Sequence, residues 1–171
     1  MSRGRVELGL GAGWFEAEHS AYGIPFPDTG ERFDRLEEQL AIITGLWATP
    51  MGETFTHVGR HHQITDSPAL PKPDQARPPV IIGGKGLRRT PALAARYADE
   101  FNLPFVDLAT TRSQFVNVRR ACEAIGRDPE SMTWSNALVV CCGQDEPEVR
   151  RRADAIGREV EVPVRPGGIR G

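Results

Sequence analysis

The sequence lacks most of the features that would identify a function at once. It has three cysteines, Cys122, Cys141 and Cys142, an odd number with no C-x-x-C spacing. That argues against a disulfide framework and a cysteine-based zinc site. The expected role of all three is as small buried hydrophobes in a reducing cytoplasm. Charge of either sign is not in excess: 21 Lys and Arg against 23 Asp and Glu leave a net charge of −2. Neither a nucleic-acid partner nor an acidic disordered tail is implied. No apolar run approaches the ~20 residues that span a bilayer, so no membrane partner is expected. The opening Met1-Ser2-Arg3-Gly4-Arg5 lacks the apolar stretch of ~7–15 residues found in secretory signals. Internal repeats and low-complexity tracts are missing too.

What remains is an ordinary globular composition, 39% hydrophobic and 26% charged over 171 residues, long enough for one domain with a core. Val6, Leu8 and Leu10 alternate with polar or small residues and predict a short strand, ended by Gly11-Ala12-Gly13. Residues 14–30 hold Gly23, Pro25, Pro27 and Gly30 and predict a loop. A helix over 31–47 follows, with Phe33, Leu36, Leu40, Ile43 and Trp47 on one stripe. Asp28 and Glu31 form its capping box, and Glu31 with Arg35 an i,i+4 pair. Residues 54–65 suggest a polar hairpin turning at 58–60, and the five prolines of 68–79 an extended connection.

Val80-Ile81-Ile82 is an apolar run suited to a parallel sheet. A helix over 87–98 tolerates Pro91 in its first turn. Phe101-Asn102-Leu103 is a brief strand. A helix capped by Thr110 or Thr111 runs to about Ile125, burying Phe115, Val118, Cys122 and Ile125, with Gly126 as its C-cap. A strand over 134–142 centres on Leu138-Val139-Val140. Asp145 and Glu148 cap a last helix with Val149, Ala153 and Ile156 inward. Alternation of this kind predicts an α/β fold with a parallel sheet and helical crossovers. The expected domain covers 1–158, and 159–171 read as a divergent, disordered tail.

Two glycine turns carry the candidate chemistry. Gly83-Gly84-Lys85-Gly86 lies between a buried strand and a helix start. There, glycines admit close approach of a ligand, and free N–H groups attract an anion. Lys85, Arg88 and Arg89 add positive charge. The run matches neither a Walker A motif nor G-x-G-x-x-G. Gly11, Ala12, Gly13 and Trp14 end the first strand, where α/β folds bind ligands. Small residues there leave room for a flat ring on which Trp14 can stack. Glu16, Glu18 and His19 contain groups suited to proton transfer, although such a loop is more often solvated surface. His57, His61 and His62 invite a metal reading. In a strand His61 and His62 would face opposite ways, and no carboxylate or cysteine completes a set, so no metal is expected.

These pieces form an ordered series. Leu8-Gly9-Leu10-Gly11-Ala12-Gly13-Trp14-Phe15-Glu16 precedes Tyr22-Gly23-Ile24-Pro25-Phe26-Pro27 and Gly30-Glu31-Arg32-Phe33-Asp34-Arg35-Leu36-Glu37-Glu38. Then come Gly59-Arg60-His61-His62, Pro79-Val80-Ile81-Ile82-Gly83-Gly84 and Ala94-Ala95-Arg96-Tyr97-Ala98-Asp99. From Arg5 to Gly157 the succession resembles the luciferase-like monooxygenase superfamily, and within it the members that use the deazaflavin coenzyme F420. The resemblance implies a (β/α)8 TIM barrel with the cofactor ring over the carboxyl ends of the strands. It implies that Gly11, Ala12, Gly13 and Trp14 border the ring and that Gly83, Gly84, Lys85 and Gly86 receive a phosphate. It further implies hydride transfer or monooxygenation of a small organic substrate with F420 or FMN, in a cytoplasmic homodimer when the protein is full length.

A whole barrel of this type takes ~250 residues. The four or five strands expected here amount to a partial barrel, its first strands and its end missing. No catalytic residue is therefore assigned. Trp14 stands where the family's sugar-phosphate dehydrogenases carry a glutamate, which argues against that activity; Glu16 is the nearest substitute. A non-catalytic phosphate-binding fragment and a decayed reading frame are the alternatives. An open arc of barrel leaves strand edges unpaired. Val80, Ile81 and Ile82 are then expected to be partly wet, and the isolated chain prone to aggregation.

Overall fold

A computed structural model describes residues 3–159. The chain divides into two compact units, one ending at Ala137 and the other beginning at Leu138. In the first unit the elements are β1 (Leu8–Leu10), α1 (Glu16–Ala21), α2 (Thr29–Ala48), β2 (Phe55–Val58), β3 (Gln63–Ser67), β4 (Val80–Gly83), α3 (Arg89–Tyr97), β5 (Glu100–Pro104), α4 (Leu108–Ala124) and β6 (Thr133–Ala137). The second unit contains α5 (Glu146–Ala155). The expected tail falls almost wholly outside the described residues. No described helix is long and apolar enough to cross a membrane.

Four strands form one sheet in the order β1-β4-β5-β6, every pair parallel. Leu10 registers with Ile82, Ile82 with Phe101, and Phe101 with Trp134. Residues in register share a face, so Leu8, Leu10, Val80, Ile82, Phe101, Leu103 and Trp134 lie on one side. Against it pack Leu36 and Leu40 of α2, Leu93 and Ala94 of α3, and Val118 and Cys122 of α4. Burial also pushes the Cys122 thiol up in pKa, as expected of a cysteine used for packing. The opposite face presents Gly9, Ile81, Gly83, Glu100, Asn102 and Ser135, none of them buried. The expected wetness of the apolar run therefore holds for Ile81 alone. Val80 and Ile82 are 0% and 1% exposed, because the helix layer covers their face completely.

Local signals place most boundaries. Asp28 caps α2 by accepting from the Glu31 N–H at 3.1 Å, and Arg35 meets Glu31 at 2.6 Å. Ile42 is buried, and Ile43 only half-buried. The cap of α4 is Asp107, accepting from the Thr110 N–H at 2.7 Å, rather than either threonine. A carboxylate accepts this bond more strongly than a hydroxyl, and the bonds from Thr110 hold its pKa below the ordinary value. Ile125 and Ile156 are both exposed, since each sits in the C-cap beyond its helix's buried stripe. Cys142 is exposed too, contrary to expectation.

β6 stops at Ala137 instead of running to 142. Its neighbour β5 ends at Pro104, which registers with Ala137, so the ladder has no further partner. Leu138, Val139 and Val140 are exposed. The short helix α1 falls inside the expected loop.

The hairpin β2–β3 is antiparallel, and its turn is held to α2 chiefly by the Glu38 carboxylate. Glu38 accepts backbone N–H bonds from Arg60 at 2.7 Å, His61 at 3.0 Å and His62 at 2.9 Å. His61 and His62 are thus in the turn, not in a strand, and act through their amides. Partial burial opposes the charge on Glu38. The amide donors of His61, Arg60 and His62 and the His62 ring outweigh it and lower its pKa from 4.5 to about 2. A carboxyl with a depressed folded pKa stabilises the fold above its unfolded value and loses that contribution as pH falls toward the folded one. The protection factors of the Arg60, His61 and His62 amides, taken against their unstructured exchange rates at the same pH, should therefore be high at neutral pH and fall as pH drops from 4.5 toward about 2. Glu38→Gln should lower them at neutral pH and flatten this pH dependence.

Candidate functional site

The parallel pairing of β1 with β4 brings the two glycine turns together. Leu10 and Ile82 are in register, so Gly11 and Gly83 leave the same, carboxyl end of adjacent strands. Parallel α/β sheets bind ligands at this end.

The 83–86 turn is built for close approach. A Cβ on Gly83 would sit 2.4 Å from the Asn102 carbonyl oxygen, and one on Gly86 2.5 Å from Thr90 Oγ1. Gly84 has φ +133, outside the range of other residues. The turn feeds α3, whose N-cap Arg88 makes no side-chain cap bond. The first-turn N–H groups of α3 thus lack a side-chain cap.

Of the expected cations, Lys85 and Arg88 are exposed and make no ion pair among the described residues. Arg89 is committed elsewhere. It pairs with Asp34 at 2.6 Å and Glu37 at 3.4 Å, donates to the Gly30 carbonyl at 3.1 Å and lies over the Phe33 ring. Its sequence position beside the turn suggested anion binding, but the acidic face of α2 holds it.

At the other turn Gly11 and Gly13 are exposed, and Ala12 packs on the core. Trp14 is 85% exposed, and its ring lies 5.3 Å from that of Phe15. His19 is engaged within its own loop. Its Nδ1 lies 2.9 Å from the Phe15 carbonyl oxygen and its ring lies tilted against Phe26, 4.7 Å between centroids, so it folds the loop back on itself. Among the described residues, no three His, Cys, Asp or Glu side chains are grouped to hold a metal.

Sequence reasoning missed two features near the strand ends. The Asn102 amide donates to Ser135 Oγ at 2.7 Å, and Ser135 in turn donates to Glu100. This polar chain lies on the sheet face away from the helices. Its signal was the alternation of Glu100 and Asn102 with Phe101 and Leu103, but the register to Ser135 was not readable. The second is Phe105, the first residue after β5. It has φ +51, is 64% exposed, and donates its N–H to Ala137 O at 2.8 Å. Nothing in the sequence marks a left-handed phenylalanine.

Two shallow recesses of about 360 and 380 Å³ lie on the helix side. Asp34, Glu38, His57 and Tyr97 line one, and Ala92, Leu93, Ala121 and Ile125 the other. Neither involves the glycine turns.

A left-handed non-glycine residue costs about 1–3 kcal/mol. Relief of that strain offsets the backbone entropy lost by glycine, of about 0.5–1 kcal/mol. Phe105→Gly should therefore not lower the melting temperature. Phe101→Ala, which empties a fully buried position, should destabilise by about 3–5 kcal/mol in denaturant titration.

Known proteins resemble this chain in sequence and in fold. A glucose-6-phosphate dehydrogenase of Microbacterium testaceum, F420-dependent, is 38% identical over 102 residues, 59% of this chain and 28% of the relative. An FMNH2-dependent dimethylsulfone monooxygenase of Pseudomonas putida is 26% identical over 168 residues, 98% of this chain and 44% of the relative. Among solved structures, the monooxygenase RslO1 of Streptomyces bottropensis superposes with a TM-score of 0.73 at 20% identity, covering 90% of this chain and 46% of that one. The chain thus spans less than half the length of these proteins, and its four parallel strands form an arc of a (β/α)8 barrel. The sequence profile of the luciferase-like monooxygenases matches residues 1–165, and the chain belongs to that family.

Proposed function

We propose that this chain forms one wall of the cofactor site of an oxidoreductase that uses F420 or FMN. The reaction is hydride transfer to or from a small organic substrate, or its monooxygenation. The observation that carries the proposal is the side-by-side exit of the two glycine turns from paired parallel strands. We take residues 1–158 as a single partial barrel domain of a cytoplasmic homodimer.

The turns fit such a cofactor. At Gly83 and Gly86 the turn packs so closely on Asn102 and Thr90 that no Cβ fits, which fixes its path, and the start of α3 supplies N–H groups for a phosphate. Lys85 and Arg88 sit beside it as exposed cations. Gly11, Ala12 and Gly13 leave space for a flat ring, with the exposed indole of Trp14 at its border. When bound, the deazaflavin or flavin supplies the hydride or activates oxygen. The protein's part is to hold the phosphate, fix the ring's plane and exclude water from one side of it. The relatives include a sugar-phosphate dehydrogenase. Trp14 gives this chain an apolar surface at the site's edge instead of a carboxylate, which favours an apolar substrate over a sugar phosphate.

Fluorescence titration of the complete protein that carries this chain tests the reading. One of F420 and FMN should bind, and Gly84→Ala should weaken binding about tenfold or more, because alanine at φ +133 forces the turn to change shape. Arg150→Ala on α5 should leave it unchanged. Failure of both cofactors to bind would dismiss the proposal. Binding without turnover of any reduced cofactor would leave a phosphate-ligand module.

A further inference from the structure

Beneath the 83–86 turn lies a polar side chain with no role in the reading above. Gln114 of α4 is 4% exposed. Its Nε2 donates to the Lys85 carbonyl at 2.9 Å, across 29 residues of chain. Its Oε1 is buried and has no hydrogen-bond partner among the described residues. Leaving an amide oxygen in that state is destabilising, and an apolar side chain of similar size would avoid it. What the glutamine contributes in exchange is the single bond to Lys85.

We infer that Gln114 is the positioning residue of the anion turn, setting the direction of the Gly86 N–H. A trans peptide unit is planar, and its C=O and N–H point opposite ways. Gln114 draws the Lys85 carbonyl toward the buried side of α4. The Gly86 N–H of the same peptide must then point away from the core. Thr90, only 3% exposed, packs where a Gly86 Cβ would be, so the turn cannot swing toward α3. With the carbonyl retained below, the outer side of the turn presents a donor instead of an acceptor that would repel phosphate. Gln114 touches no ligand in this account and acts only through the backbone of the turn. The inference rests on the phosphate reading of residues 83–86 and deepens it: preference for a phosphorylated ring over its dephosphorylated form is set from underneath.

The test uses the complete protein and Gln114→Met, which keeps the volume and removes the donor. Both are titrated with FMN and riboflavin, and with F420 and its dephosphorylated riboside. The substitution should weaken binding of the phosphorylated rings about tenfold, as loss of one aligned N–H donor to an anion implies. Binding of the dephosphorylated rings should change less than twofold. Equal weakening of both forms would mean a general packing role and overturn the inference. Unchanged affinity for the phosphorylated rings would overturn it while leaving the phosphate reading intact. If the unsubstituted protein does not favour the phosphorylated rings, the phosphate reading fails and takes the inference with it. A second measurement avoids the cofactor: inorganic phosphate should shift the Gly86 amide resonance of the unsubstituted protein and not that of Gln114→Met. An equal shift in both would also overturn the inference.

Discussion

Everything about the proposed site depends on one strand pairing. Gly11 and Gly83 are 72 positions apart in sequence, and only the parallel ladder between β1 and β4 sets them side by side. That ladder is short, three residue pairs, and contributes few hydrogen bonds of its own. Its position is fixed by burial. Val80 and Ile82 are enclosed beneath α2, α3 and α4, and a slip of one residue would turn Ile81 and Gly83 into the core instead. The hydrophobic contrast between alternating residues of β4 thus holds the two turns in line.

The sheet is two-sided in chemistry as well as in cover. Its helix-facing side carries aliphatic and aromatic residues, and its other side carries Ile81 with the Glu100–Ser135–Asn102 chain. In a (β/α)8 barrel the helices form the outer ring and the opposite face looks inward. The polar chain is therefore what this arc offers to the barrel interior. A carboxylate there is hydrogen-bonded through Ser135 rather than left bare, which lowers the penalty of enclosing it. The hairpin has a different task. Glu38 ties its turn to the outer helix α2, on the opposite side of the sheet from the inward face.

How much was legible in the sequence follows from the range of each interaction. Local signals served well. Asp28, Glu31 and Arg35 marked the start of α2, and the apolar run at 80–82 marked β4. Gly83 and Gly84 announced a turn that no other residue type could make. The misses share a cause: they depend on what lies across the fold. Asp107 displaced two threonines as a cap, because its carboxylate accepts from the Thr110 N–H and starts the helix ahead of them. β6 ended five residues early because its partner β5 ended first. Arg89 looked available to an anion until α2 supplied Asp34 and Glu37. Phe105 and Gln114 carry no local mark at all, and the alternation around Glu100 and Asn102 does not reveal their register with Ser135. The family resemblance was readable because it rests on the order of short motifs, each a local signal.

The central claim is that both turns border one ligand. A crystal structure of the complete protein with F420 or FMN tests it most directly. The account predicts the phosphate within hydrogen-bonding distance of backbone N–H groups in residues 84–86 and the ring against residues 11–14. A ring seated in the helix-side recess lined by Asp34, Glu38 and Tyr97, or touching only one of the two turns, would contradict it.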